Sequence, residues 1–135
     1  MSQENVEVVR KVLAEWARGT FWTADAFDPN VYVRWVDPIL APAGGETHGI
    51  EELERGMLDM LREWEKGSGT ATADRIIEAD EDVVSVETWR GRGRASGVEL
   101  ETPQACIWSV SDGKITRMIR YGDPAEALEA VGLSE

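Results

Sequence analysis

Residues 98–121 read VELETPQACIWSVSDGKITRMIRY. Ser111, Asp112 and Gly113 stand between two runs rich in apolar and β-branched residues, the composition of a tight hairpin turn joining a strand from Val98 to Val110 with one from Lys114 to Tyr121. Working back along the chain, a glycine-marked turn near Gly97 separates this hairpin from a strand over Val83 to Arg94. The turn Ala79-Asp80-Glu81-Asp82 separates that strand from another over Thr70 to Glu78. Long antiparallel strands in succession make a meander. On the last strand Thr116, Met118 and Arg120 share one face, while Ile115, Arg117, Ile119 and Tyr121 share the other. Neither face is cleanly polar, so both need cover.

The remainder of the chain supplies that cover. From Asn5 to Arg18, Val6, Val9, Leu13, Trp16 and Ala17 form one stripe of an amphipathic helix, stopped at Gly19. The segment VYVRWVD, residues 31–37, is β-branched and aromatic, places Val33, Trp35 and Asp37 on one face, and leaves the sheet at Pro38. A long loop, DPILAPAGGETH over 37–48, leads to a second helix from Gly49 to Lys66 with Ile50, Leu53, Met57, Met60, Leu61 and Trp64 at helical spacing. Asp123 as N-cap, Pro124 after it, Glu126 three residues past the cap and Gly132 beyond predict a short closing helix. With the two long helices on the concave face, Ile115, Ile119 and Tyr121 leave an apolar patch on the convex one, and a homodimer through that face is expected.

The chain has 135 residues, 42% of them hydrophobic, which suits a single domain over 1–135 with a real core. Its net charge of -12 repels phosphate backbones and anionic lipids, so neither nucleic acid nor a membrane is an expected partner. The alternating Arg90, Arg92 and Arg94 read as a solvated edge or as salt-bridge partners of acidic neighbours, in preference to an anion site. Cys106 and His48 are the only residues of their kinds, which excludes an intrachain disulfide and any cysteine- or histidine-rich metal centre. No phosphate-binding glycine loop and no carboxylate metal loop is recognisable, so no metal and no cofactor is expected. Met1 to Glu15 lacks an apolar signal core and no run of 18 apolar residues occurs, so the expected location is cytoplasmic.

The strand ending in Val36-Asp37-Pro38, the helix opening at His48-Gly49-Ile50, and the meander with its Asp112-Gly113-Lys114-Ile115 turn together resemble the nuclear transport factor 2-like superfamily. RGRGRASGVELE, IWSVSDGKITR and YGDPAEALEAVGL resemble its SnoaL-like proteins, and the likeness runs over nearly the whole chain. The resemblance implies an α+β cone-shaped roll, in which a curved, mostly antiparallel sheet wraps the N-terminal helices around a single apolar pocket. It is specific for the fold and weak for the reaction, since the superfamily spans ketosteroid isomerases, polyketide cyclases, dehydratases, epoxide hydrolases and non-catalytic members.

Carried onto this sequence, the resemblance implies a pocket lined by Trp16, Trp35, Ser85, Trp89, Cys106, Trp108, Val110 and Met118, with Asp37, Glu87, Arg120 and His48 as ionisable groups. Such a lining suits a small, flat, largely apolar molecule. Asp37 matches the carboxylate that moves a proton in ketosteroid isomerases, where an apolar setting raises a carboxylate's pKa. Its other reading is an Asp-Pro turn that ends a strand. Val12 and Cys106 fall where those enzymes keep their two oxyanion donors, so steroid isomerisation as such is not expected. Arg120 can hold an enolate or carboxylate with Glu87 as a second acid or base; equally, Glu87 and Arg120 form a buried ion pair that only braces the sheet. His48 is either a proton donor to a leaving group or a rim residue, and Cys106 reads as a small buried hydrophobe. Two functions remain: a cofactor-independent isomerase, cyclase or dehydratase acting on an apolar carbonyl compound, and a non-catalytic ligand-binding or dimer-scaffold protein.

Overall fold

The computed structural model describes residues 2–36 and 45–133. Helix α1 spans Ser2–Ala17 and is followed by a short 3-10 turn at Ala24–Ala26; strands β1 (Phe27–Trp35) and β2 (Glu46–His48) precede helix α2 (Ile50–Arg62). The meander is β3 (Thr70–Ala79), β4 (Asp82–Arg92), β5 (Glu99–Ser111) and β6 (Lys114–Tyr121), and helix α3 (Pro124–Ala130) closes the chain. The six strands form one mixed sheet in the order β2-β1-β6-β5-β4-β3, in which β1 runs parallel to β6 and every other neighbour is antiparallel. The architecture is α+β with an open sheet, as the sequence implies.

Local chemistry accounts for the junctions. Asp112 and Gly113 both take positive φ, +52° and +76°, which matches the right-handed twist of the flanking strands and closes the β5–β6 hairpin in two residues. The Asp123 side chain accepts a hydrogen bond from the Ala125 backbone N–H at 3.0 Å, and Pro124 occupies the first helical position. Strand β1 begins four residues earlier than its β-branched run predicts. Pro29 lies near its start, in the stretch between Phe27 and Tyr32 where the pairing with β6 is irregular, and there a missing N–H is tolerated.

The sheet has a core on each side. The larger one packs α1 and α2 against one face and includes Val9, Trp16, Val33, Leu53, Trp89 and Trp108. The smaller one seats α3 on the other face, where Ala127 and Leu128 meet Val84, Ala105, Ile107 and Ile119. This corrects the convex patch read from the sequence. Ile115 is fully buried in the larger core, because two residues of β6, from Ile115 to Arg117, span one step of β5, from Val110 to Ser109. The irregularity flips the alternation at Thr116, so Ile115 and Met118 share a face. Ile119 does lie on the convex side but is buried beneath α3, while Tyr121 on that side is only half-buried.

Helix α2 ends at Arg62, short of the predicted Lys66, and the chain turns so that Trp64 bridges Gly93 on the continuation of β4. The Trp64 indole packs against Gly91, where an added Cβ would collide with the six-membered ring. Of the alternating arginines beside these glycines, Arg90 pairs with Glu101 and Arg92 with Glu65 and Glu99, while Arg94 Nε donates to the Trp64 carbonyl at 3.3 Å. Gly91→Ala should therefore dislodge Trp64 and cost about 1–3 kcal/mol through overpacking, read as a lower denaturant midpoint with altered tryptophan emission.

Candidate functional site

Period-two alternation on β4 turns Val83, Ser85, Glu87 and Trp89 toward the larger core, and all four are buried. On β5, Gln104 stands opposite Glu87 and Cys106 opposite Ser85; on β6, Arg120 stands opposite Cys106. Only a long side chain on β6 can cross β5 to reach β4, and arginine is long enough. The Arg120 Nη2 group donates to Glu87 Oε1 at 3.0 Å and to Gln104 Oε1 at 3.1 Å. Cys106, directly opposite Arg120, is small and leaves room for this reach.

The Glu87 carboxylate is fully engaged. Oε1 also accepts from Trp89 Nε1 at 2.7 Å, and Oε2 accepts from the Ser85 hydroxyl, whose oxygen in turn accepts from Trp108 Nε1 at 2.8 Å. Three donors, one of them the Arg120 cation, thus hold the two oxygens of Glu87. Of the two places expected for Glu87, the geometry shows the buried ion pair, in which the carboxylate orients Arg120. The guanidinium carbon of Arg120 lies 5.1 Å from the ring centroids of both Trp16 and Trp89, and those indoles pack with Phe21 and Trp108. Burial works against the charge on Arg120, but Glu87 and Cys106 beside it together outweigh this and hold its pKa above the ordinary arginine range.

Above this cluster opens a cavity of about 660 Å³. Arg120 and Gln104 line its polar side, Trp35, Trp64 and Trp89 its aromatic side, and Met60 and Leu100 contribute apolar surface. At its mouth Asp59 pairs with Arg62 at 2.8 Å, next to Glu63. Trp35 is placed by its register beside Arg120 and by Gly56 of α2, whose position lets the helix approach the indole closely.

Of the pocket residues implied by the sequence, Trp35, Trp89 and Arg120 line this cavity. Trp16, Ser85, Cys106, Trp108 and Met118 lie behind that wall, essentially without solvent exposure, and Val110 is half-buried against the same core. His48 is elsewhere. It is exposed on β2 with its ring 5.2 Å from Tyr32, while its neighbour Thr47 takes the inward position opposite Val33. The two-residue alternation of β2, a strand absent from the sequence reading, turns the histidine away from Arg120. Asp37 lies outside the described residues. Gln104 and Trp64 were missed, although Gln104 shares the strand face of Cys106 and Trp108, and Trp64 follows Met60 by one helical turn. Among the described residues no three metal-ligating side chains converge, and no helix is long and apolar enough to cross a membrane.

Residues 9–118 match the SnoaL-like domain. No curated protein matches the chain. Among solved structures, a nuclear transport factor 2-like protein of unknown function from Burkholderia pseudomallei K96243 is similar with a TM-score of 0.74 at 20% identity, over 96% of this chain and 98% of the other. A protein with a ketosteroid isomerase-like fold from Catenulispora acidiphila DSM 44928, in complex with trimethylamine, gives 0.70 at 17% over 94% and 93%. TerC co-crystallised with polyporic acid gives 0.73 at 18% over 95% and 98%. At such identities the likeness is one of fold.

Burial pushes the pKa of the Cys106 thiol up, with Arg120 opposing in part. The folded protein holds the thiol proton where the unfolded chain releases it, so stability is unaffected below the ordinary thiol range and falls as pH rises above it. Denaturant midpoints should therefore decline above about pH 8.5, and the decline should shrink in Cys106→Ala. A thiol reagent should label Cys106 only on unfolding.

Proposed function

The chain belongs to the SnoaL-like domain family, and on that premise we propose that it binds an apolar carbonyl compound in the cavity walled by Trp35, Trp64 and Trp89, with Asp37 as the base for proton transfer on that ligand. The observation that carries this reading is the cavity itself. Three indoles face a space of about 660 Å³ whose polar side is a guanidinium held in place by its own carboxylate. Flat apolar surface is favoured against indole faces, and a small number of fixed polar groups orients what binds. Two relatives of the same fold crystallise with small organic molecules, trimethylamine and polyporic acid, which supports a small-molecule site here.

Asp37 enters as the base because it matches the proton-transferring carboxylate of the resembled isomerases and because the other acid and base candidates fall away. Glu87 is committed to its ion pair with Arg120 and to hydrogen bonds from Ser85 and Trp89, and His48 faces outward. A second reading, binding without chemistry, is favoured by the identity of Val12 and Cys106, neither of which can stabilise an oxyanion as the isomerases' donors do.

The two readings separate on a probe ketone. With 2-tetralone in D2O, the protein should accelerate exchange of the α-protons over buffer, followed by NMR. Asp37→Asn should reduce this by at least about a hundredfold while tryptophan quenching by the ketone persists. Exchange that survives the substitution would remove Asp37 from the mechanism. Quenching with no exchange in the unsubstituted protein would establish the non-catalytic reading.

A further inference from the structure

Every acceptor around Arg120 is engaged, and two fully buried donors are not. Glu87 Oε1 receives Trp89 and Arg120, Glu87 Oε2 receives Ser85, and Gln104 Oε1 receives Arg120. Arg120 Nη1, on a side chain only 3% exposed, has no hydrogen-bond partner among the described residues. Trp16 Nε1, on one of the rings against which the guanidinium packs, has none either. Gln104, with its oxygen turned to Arg120, has its amide N–H groups to offer a ligand. A buried donor without an acceptor costs free energy that a ligand oxygen would recover.

Charge decides which kind of oxygen. Arg120 is already compensated by Glu87, so the pair is neutral as it stands. A carboxylate seated on Nη1 would therefore place a net negative charge in a poorly hydrated site, within a chain whose net charge is -12 and beside a mouth that carries Asp59 and Glu63 against Arg62. An uncharged carbonyl oxygen satisfies the same N–H with no net charge buried.

We infer that the cavity selects ligands whose polar group is an uncharged hydrogen-bond acceptor, a ketone or quinone oxygen received by Arg120 Nη1, and discriminates against carboxylates of the same shape. This rests on the reading that the cavity is the ligand site, and it adds the chemistry of the ligand's handle and the residue that receives it. Ser85, Glu87 and Trp89 are positioning residues here, acting through the guanidinium.

Three probes of one shape test it: 2-acetylnaphthalene, 2-ethylnaphthalene and 2-naphthoate, titrated calorimetrically into the full chain at neutral pH and moderate salt. The ketone should bind at least about tenfold tighter than the hydrocarbon and than the carboxylate, the worth of one hydrogen bond to a charged donor. Equal binding of ketone and hydrocarbon would overturn the inference and leave the pocket reading standing. A carboxylate that binds as well as the ketone would overturn it likewise. Failure of all three to bind would take both down. Because Arg120→Met alone strands a buried carboxylate, the second arm is Glu87→Gln with Arg120→Met together, which removes both charges. In that protein the preference for the ketone over the hydrocarbon should vanish, and its persistence would overturn the assignment to Arg120.

Discussion

The ion pair between Glu87 and Arg120 spans three strands of the sheet and lies almost wholly out of water, at 0% and 3% side-chain exposure. Two charges brought into that setting lose hydration worth several kcal/mol each, which their attraction offsets only if geometry and further hydrogen bonds are good. The surroundings meet that condition. Ser85, Trp89 and Gln104 complete the carboxylate and one end of the guanidinium, and two indoles cover its faces. Much of the larger core is arranged to hold one cation still. Rigidity of this kind also fixes where the unpartnered Nη1 group lies relative to the cavity that Arg120 lines.

The rest of the fold positions that cluster. The parallel β1–β6 pairing brings Trp35 alongside Arg120, and the Val36 N–H donates to the Arg120 carbonyl at 2.9 Å, tying the end of β1 to the same residue. Helix α2 meets Trp35 through Gly56, and the chain beyond it turns back so that Trp64 rests on Gly91 and walls the cavity. On the other side of the sheet, α3 covers Ile107 and Ile119, so the strands carrying the pair are packed on both faces.

Much of this was legible in the sequence. The turn at Ser111-Asp112-Gly113, the capping residues around Asp123 and the helical stripe beginning at Val6 each depend on a few neighbouring residues, and each appears where local chemistry puts it. Alternation on β4 and β6 likewise brought Glu87, Trp89 and Arg120 to one face. The departures all involve non-local pairing. The irregularity at Thr116 arises from the match of β6 to β5, and it moved Ile115 from the convex side into the core. The short strand β2 exists only because β1 offers it an edge, and its register turned His48 outward. The end of α2 is set by the bridge of Trp64 to Gly93, a partner 29 residues downstream that helical periodicity cannot reveal. Gln104 shared the inward face of β5 with Cys106, but its importance depends on the diagonal reach of Arg120, which alternation alone does not show.

A double-mutant cycle between Glu87 and Arg120, followed by denaturant unfolding, tests most directly whether this pair organises the site. Glu87→Gln and Arg120→Met should each destabilise strongly, by about 3–5 kcal/mol, because each leaves a buried charge without its partner. The double variant should cost well under the sum, with a coupling of at least about 2 kcal/mol. Additive effects of the two substitutions would show that the charges are stabilised independently and would contradict the pair as the constraint on which the cavity depends.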